Sequence, residues 1–153
     1  MRFRGAAVAA GLWWMLAVAE AGPTGEASVP AAPGWGALDS LLEARPLAPG
    51  ESLRVTRIGE GEHSTAVCIQ LAPGAVVPGH RHADHDESVL VWRGAATLRV
   101  GSIVRRVLPG QVVTIPRGTP HGAVAGPDGC AVVSVYAPVW DAADRHRDAR
   151  GDP

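Results

Sequence analysis

Between Leu53 and Tyr136 the chain alternates apolar and polar residues in short runs, with turn residues between them. A period of two sends successive side chains to opposite faces of a sheet, so this alternation predicts strands. They fall at Leu53–Ile58, Ser64–Leu71, Ala95–Val100, Ile103–Leu108 and Cys130–Tyr136. A further extended run, Ser88-Val-Leu-Val-Trp92, is opened by Glu87 and closes on Arg93-Gly94. Within it Glu87, Val89 and Val91 share one face, and Ser88, Leu90 and Trp92 share the other. With the first face inward, Leu90 and Trp92 form an apolar outer face that calls for a cover, either the N-terminal segment or a second subunit. Gly101-Ser102 joins two runs and suits a tight primed hairpin turn. Many short strands punctuated in this way predict an all-β fold, a closed barrel or a double-sheet jelly roll.

Outside that region the period changes. Leu38, Leu41 and Leu42 recur at helical spacing within Trp35–Leu47, which predicts a short helix across the outside of the barrel, with Asp39 or Ser40 as its cap. Further upstream, Met1-Arg-Phe-Arg4 precedes the uncharged run Gly5–Ala19 and the small residues Ala17-Val-Ala19 and Ala19-Glu-Ala21. This three-part order is that of a secretory signal peptide, and the apolar run is short for a membrane span. The chain accordingly divides into a signal peptide (1–21), a linker and N-terminal segment (22–50), a barrel domain (51–138) and a polar tail (139–153). In the tail Trp140 reads as an anchor and the last ten residues as disordered. The expected location is the periplasm or the medium, with no membrane contact after signal cleavage.

Charge narrows the partners. The 14 basic residues, all Arg, face 15 acidic ones, for a net charge of −1. Cleavage after Ala19 removes Arg2 and Arg4 and leaves 12 against 15, or −3; cleavage after Ala21 also removes Glu20 and leaves 12 against 14, or −2. No block of like charge stands out, which argues against a nucleic-acid partner. With only two cysteines, Cys68 and Cys130, the chain is no disulfide-dense scaffold.

The chemistry concentrates in Gly74–Gly94 and Gly110–Ala125. His80 and His82 are two apart, so in an extended strand both imidazoles project from one face. Glu87 follows the polar turn Ala83-Asp84-His85-Asp86. Downstream, Pro116, Gly118 and Pro120 shape the approach to His121, because proline fixes φ and glycine accepts a positive φ. Three imidazoles and one carboxylate suit a single divalent transition metal, whether Fe, Mn, Ni, Cu or Zn. His85 lies in the turn and reads as solvated; His63 and His146 stand in polar surroundings with no constellation.

These two stretches resemble the paired motifs of the cupin family. Gly74, His80, His82, Glu87 and Gly94 meet every position of the first, and Gly110, Pro116, Gly118 and His121 match the second, where Ala125 replaces an Asn that is no ligand. The resemblance covers roughly Leu53 to Pro138. It implies a single-domain jelly-roll β-barrel with a metal on His80, His82, Glu87 and His121, and a possible homodimer. It also makes the strands of Cys68 and Cys130 neighbours in one sheet, which leaves a bridge or two buried thiols open.

Candidate wall residues of the cavity are Val89, Val91, Val112 or Val113, Ala123 and Val133, with a hydroxyl from Ser134 or Tyr136. Arg99, Arg105 and Arg106 lie in strands, where one pointing inward could clamp a carboxylate and solvent-facing side chains carry no role. The expected function is a small metalloenzyme of oxygenase or oxidoreductase type on a small organic substrate. In it Glu87 is a ligand that shifts or accepts a proton as substrate enters. The alternatives are a non-catalytic small-molecule-binding module, or an isomerase or decarboxylase.

Overall fold

The computed structural model describes residues 36–148, and two long strands organise them. β4 (Asp86–Val100) and β7 (His121–Ala137) run antiparallel and pair from Asp86↔Ala137 to Val100↔His121. The other strands are β1 (Leu53–Glu60), β2 (Thr65–Leu71), β3 (Val76–Arg81), β5 (Ile103–Val107), β6 (Val112–Ile115) and the two-residue β8 (His146–Arg147). β7 takes β3 along its first half and β2 along its second. On its far edge β4 takes β6 along its first half and β5 along its second. Two faces result, β1-β2-β7-β4-β6 and β8-β3-β7-β4-β5, joined through the two long strands.

The sheet folds over between these faces, and their apolar sides meet. Leu71, Val91 and Cys130 from one half are buried with Ala96, Val107 and Ala125 from the other. Ala125, which stands in the place of the family's Asn, is therefore a core residue. The bend has a backbone cause. The sequence reading ended a strand at Gly94, but β4 continues through it with register shifts at Val91/Arg93 and Gly94/Ala96. Such bulges bend a strand without ending it. Gly94 has φ +70°, and a Cβ there would stand 2.2 Å from the Gly129 carbonyl oxygen. Only glycine satisfies both conditions.

The outer face is covered as the alternation requires. Glu87, Val89 and Val91 are buried while Trp92 is exposed. Helix α1 (Leu38–Ala44) lies over the other side, where Leu42 packs on Cys68 and Ala131. Its N-cap is Ala37, with no side-chain cap; neither Asp39 nor Ser40 takes that part. Asp39 instead accepts the Trp92 indole N–H at 2.8 Å and pairs with Arg93 at 2.7 Å. The carboxylate that was expected to cap the helix docks it.

The two cysteines are buried and free. Cys68 is opposite Val133 and Cys130 opposite Leu71, so they sit three positions apart along the β2–β7 pair and on opposite faces. Cys68 lies under α1 and Cys130 in the interior, and that register rules out a bridge. Burial raises both thiol pKa values. At the β4–β5 turn Gly101 has φ +58° and, among the described residues, no non-glycine residue has a positive φ, which makes the hairpin type II′.

The tail departs from the sequence reading. Trp140 stacks on Tyr136, with centroids 5.8 Å apart, and its backbone N–H donates to Thr65 Oγ1 at 3.1 Å. A 3-10 turn (Ala142–Asp144) follows, then β8 pairs with β3. Residues 144–148, expected to be disordered, are thus ordered, and Asp144 and Asp148 are buried. The two aspartates there are turned to partners in the barrel, while Arg145, His146 and Arg147 stay exposed. The signal-peptide and linker assignments fall on 1–35, outside the described residues, as do 149–153. Among the described residues no helix is long and apolar enough to cross a membrane.

Replacing Gly94 by Ala combines the backbone overlap with φ strain, and is expected to destabilise by at least about 2 kcal/mol in chemical denaturation. At Gly74, where φ is +69° but no atom stands within 4 Å of a Cβ, Ala should cost only about 1 kcal/mol. Equal losses at the two positions would show that the close approach at the bend is not limiting.

Candidate metal centre

His80 and His121 meet because their strands do. They are partners in the β3–β7 pair, with ring centroids 4.2 Å apart. His82 lies one residue past the end of β3, beyond the exposed Arg81, and the two-residue period keeps it on the side of His80. Its ring centroid is 5.1 Å from that of His80 and 5.3 Å from that of His121. Glu87 enters from the other half of β4, opposite Ile115 and Tyr136. Its Oε2 is 3.2 Å from His121 Nε2 and 3.9 Å from His82 Nε2. All four side chains are buried, none more than 8% exposed. The motifs are also tied directly, since the Gly118 N–H donates to the His82 carbonyl.

The backbone sets the tautomer of each ring. His80 Nδ1 lies 2.9 Å from the Pro78 carbonyl, His121 Nδ1 2.9 Å from that of Thr119, and His82 Nδ1 2.8 Å from that of Asp144. A carbonyl can only accept, so each Nδ1 carries the proton and each Nε2 keeps its lone pair. This is the form in which histidine binds a metal. The Nε2 atoms of His82 and His121 are buried with no hydrogen-bond partner. Moreover, His121 Nε2 and the Glu87 carboxylate both carry lone pairs across 3.2 Å. Two such atoms in a buried site need a positive charge between them, either a proton or a cation. The three histidines, whose nitrogens lie within 4.8 Å of one another, could hold a metal ion, and the donor set fits one.

Electrostatics keep the ligands in their binding forms. Burial holds His80 at about 3, helped by the neighbouring His121 and Arg145. Burial likewise lowers His82, against the pull of the Asp144 carbonyl and Glu87. For Glu87 burial pushes upward, but a proton on His121 facing it, in the place a cation would take, and the Ser134 hydroxyl outweigh it and hold the carboxyl at about 2. Tyr136 is driven well above its usual range by burial and by the Glu87 charge, so it remains a phenol.

Behind His82 stands a residue that the sequence reading did not single out. The Asp144 carboxylate accepts the backbone N–H of Ala83 at 2.8 Å and that of Asp84 at 2.9 Å. It also lies 3.2 Å from His85 Nδ1 and 3.1 Å from His146 Nε2. Burial raises its pKa, but those two N–H groups prevail and hold it below the usual carboxylate range. His85 is therefore only 2% exposed, not solvated, because a carboxylate from the tail replaces its water. His82, His85 and Asp144 also approach closely enough to hold an ion. However, both Nδ1 atoms there are already turned to Asp144, and the cluster braces the loop.

Comparison with known proteins agrees with the geometry. The cupin-domain family model matches residues 67–136. The solved structure of KdgF from a Halomonas species is 30% identical, over 63% of this chain and 86% of that one, with a TM-score of 0.57. The chain belongs to the cupin superfamily. A Klebsiella pneumoniae protein with a double-stranded β-helix domain is 27% identical over 70% of this cupin and 91% of its own chain, with a TM-score of 0.60. TT1209 from Thermus thermophilus, 23% identical over 69% of this chain and 98% of its own (TM-score 0.61), shares the fold. No curated protein matches the sequence.

The cavity wall of this cupin differs in part from the sequence reading. Val89 and Val91 face inward, Val113 packs on the core, and Val112 is exposed. Val133 is on the outer side, since it pairs with Leu90; Val132, Ser134 and Tyr136 take the inner face of β7. Arg105 and Arg106 are exposed, and Arg99 lies 3.4 Å from Asp148 on the outside of β4. By register Arg105 shares the inner face of Leu98 and Val107 at an exposed rim, whereas Arg99 and Arg106 lie on the outer face. The arginine at the site is Arg145, whose Nη2 is 3.5 Å from His80 Nδ1.

Two outcomes follow. Below its ordinary pKa of 6.5, His80 is protonated in the unfolded chain, yet it stays neutral in the folded one down to about 3. The metal-free protein should therefore lose stability as pH falls through that window, and His80→Gln should flatten the loss in urea titrations. An unchanged slope would show that His80 is not held neutral. Asp144→Ala should weaken metal affinity about 10- to 100-fold in chelator competition while the barrel stays folded. Unaltered affinity would reduce Asp144 to a packing role.

Proposed function

We propose that this cupin is an exported metalloenzyme of oxygenase or oxidoreductase type that acts on a small organic substrate. The observation that carries the metal is the convergence of unpartnered, lone-pair-bearing Nε2 atoms on a buried carboxylate oxygen 3.2 Å from one of them. His80, His82 and His121 with Glu87 would hold the ion, and two or more imidazoles with one carboxylate are a donor set suited to non-haem iron. A divalent ion there supplies a Lewis acid and, if it is iron or copper, a redox centre.

The chain supplies the rest. Glu87 is ionised and faces both His82 and His121, so it can receive a proton as a ligand enters. The Tyr136 phenol, opposite Glu87 in the β4–β7 pair, remains a donor beside that carboxylate. Val89 shares the inner face of β4 with Glu87, and the packed core beneath, with Val91 and Val132, is apolar. Export is supported by the signal-like order of residues 1–21; the ion would then be loaded outside the cytoplasm.

Protein purified from its native compartment without added metal should carry about one equivalent of Fe, Mn, Ni, Cu or Zn, absent from a His80→Ala/His121→Ala variant. Fe or Cu together with oxygen consumption supports the oxygenase reading. Metal with turnover but no oxygen consumption would point to an isomerase or decarboxylase, and metal-free wild-type protein to a binding module. His82→Ala should abolish turnover while the fold persists.

A further inference from the structure

Arg145 is an exposed side chain at the edge of the site, and it has no acidic partner among the described residues. Arg145 sits between the 3-10 turn and β8, so the tail that braces the metal loop also delivers a guanidinium to the centre. Among the described residues its one hydrogen-bond-range neighbour is His80 Nδ1, at 3.5 Å. That nitrogen already donates to the Pro78 carbonyl, so it cannot accept from an arginine. The contact is proximity, and the donors of the fork are open to solvent or to a ligand.

Other arginines of the fold have acidic partners: Arg54 with Glu51, Arg57 with Glu60, Arg93 with Asp39. Among the described residues no carboxylate pairs with Arg145. Partial burial lowers its pKa, while the Glu87 charge acts in the opposite sense, which places the guanidinium within electrostatic reach of the inner site. Glu87, the one carboxylate among the four candidate ligands, is needed as a ligand. Three neutral imidazoles, one carboxylate and a divalent ion sum to +1, and Arg145 makes +2; the Asp144 carboxylate behind His82 offsets one of these charges but is turned to the loop N–H groups and to His85 and His146.

Resting on the metal reading above, we propose that Arg145 is the specificity residue of the site and that it clamps a carboxylate of a small chelating ligand. The ligand class is a 2-oxo or 2-hydroxy carboxylate or a short dicarboxylate, bound by the fork at one end and presented to the three-histidine centre at the other. Arginine suits this because its planar donors match both oxygens of a carboxylate, whereas a lysine offers one point charge. Arg145 has a second effect that is compatible with this one: its charge helps keep His80 neutral.

The test uses the mature protein loaded with Co(II), whose visible absorption reports ligands entering the centre. Oxalate is the carboxylate probe and acetohydroxamate, a chelator without a carboxylate, the control. R145Q should weaken oxalate binding about 10- to 100-fold, the loss expected for hydrogen bonds to a charged group. R145K should recover part of that loss, acetohydroxamate affinity should change by less than about threefold, and Co(II) affinity should be unaltered. Oxalate bound equally well by R145Q and wild type would overturn the assignment, and so would equal weakening of both chelators, which would mean that Arg145 only positions His80. Wild-type protein that takes up no Co(II) would overturn the metal reading itself, and this assignment with it.

Discussion

A single antiparallel pair, β4 against β7, carries the architecture. Because both strands are long enough to cross the whole molecule, each belongs to both faces, and the two faces cannot be arranged independently. The pair can fold over only where side chains are absent. Gly94 and Gly129 provide that place: the first would put a Cβ on the second's carbonyl, and the second would put one 2.6 Å from the Leu71 carbonyl. Below the bend the interior is apolar and packed. At the far ends of the same strands, His121 begins β7 and Glu87 stands near the start of β4. The constraint that closes the core therefore also fixes where ligands on different strands can meet.

The site is held from outside as much as from within. Backbone carbonyls choose the tautomer of all three rings, so the lone pairs point inward before any ion arrives. This is preorganisation by acceptors that cannot donate. The tail then finishes the work. Asp144 binds the turn between His82 and Glu87 through two backbone N–H groups, and its own carbonyl fixes His82. Loop, tautomer and tail form one connected unit, which explains why a charged C-terminal segment is ordered.

Much of this could be read in the chain. The strands followed from a two-residue period, and the inward set Glu87, Val89, Val91 from that period alone. His80 and His82 were legible because their relation is local, a single skipped residue in extended backbone. His121 was legible through the prolines and glycine before it. The helix was placed correctly, but its cap was not, because Asp39 has a better partner in Trp92, more than fifty residues away in sequence. The inner face of β7 was read only in part, since Val133 and Val132 are equally apolar and the register alone separates them.

The sequence by itself determined what depends on short-range spacing: the strand pattern, the glycines at which the chain must turn or bend, and the identity of four residues with metal-binding chemistry. Only the tertiary structure decided which distant groups share a site. His85 is buried because Asp144 reaches it, and Arg145 joins the centre because β8 pairs with β3. The cysteines stay apart because they lie on opposite faces of one register. Each of these is a contact between segments widely separated along the chain. Such a contact leaves no period in either segment, and a polar residue headed for a buried partner is written in the same letters as one headed for water.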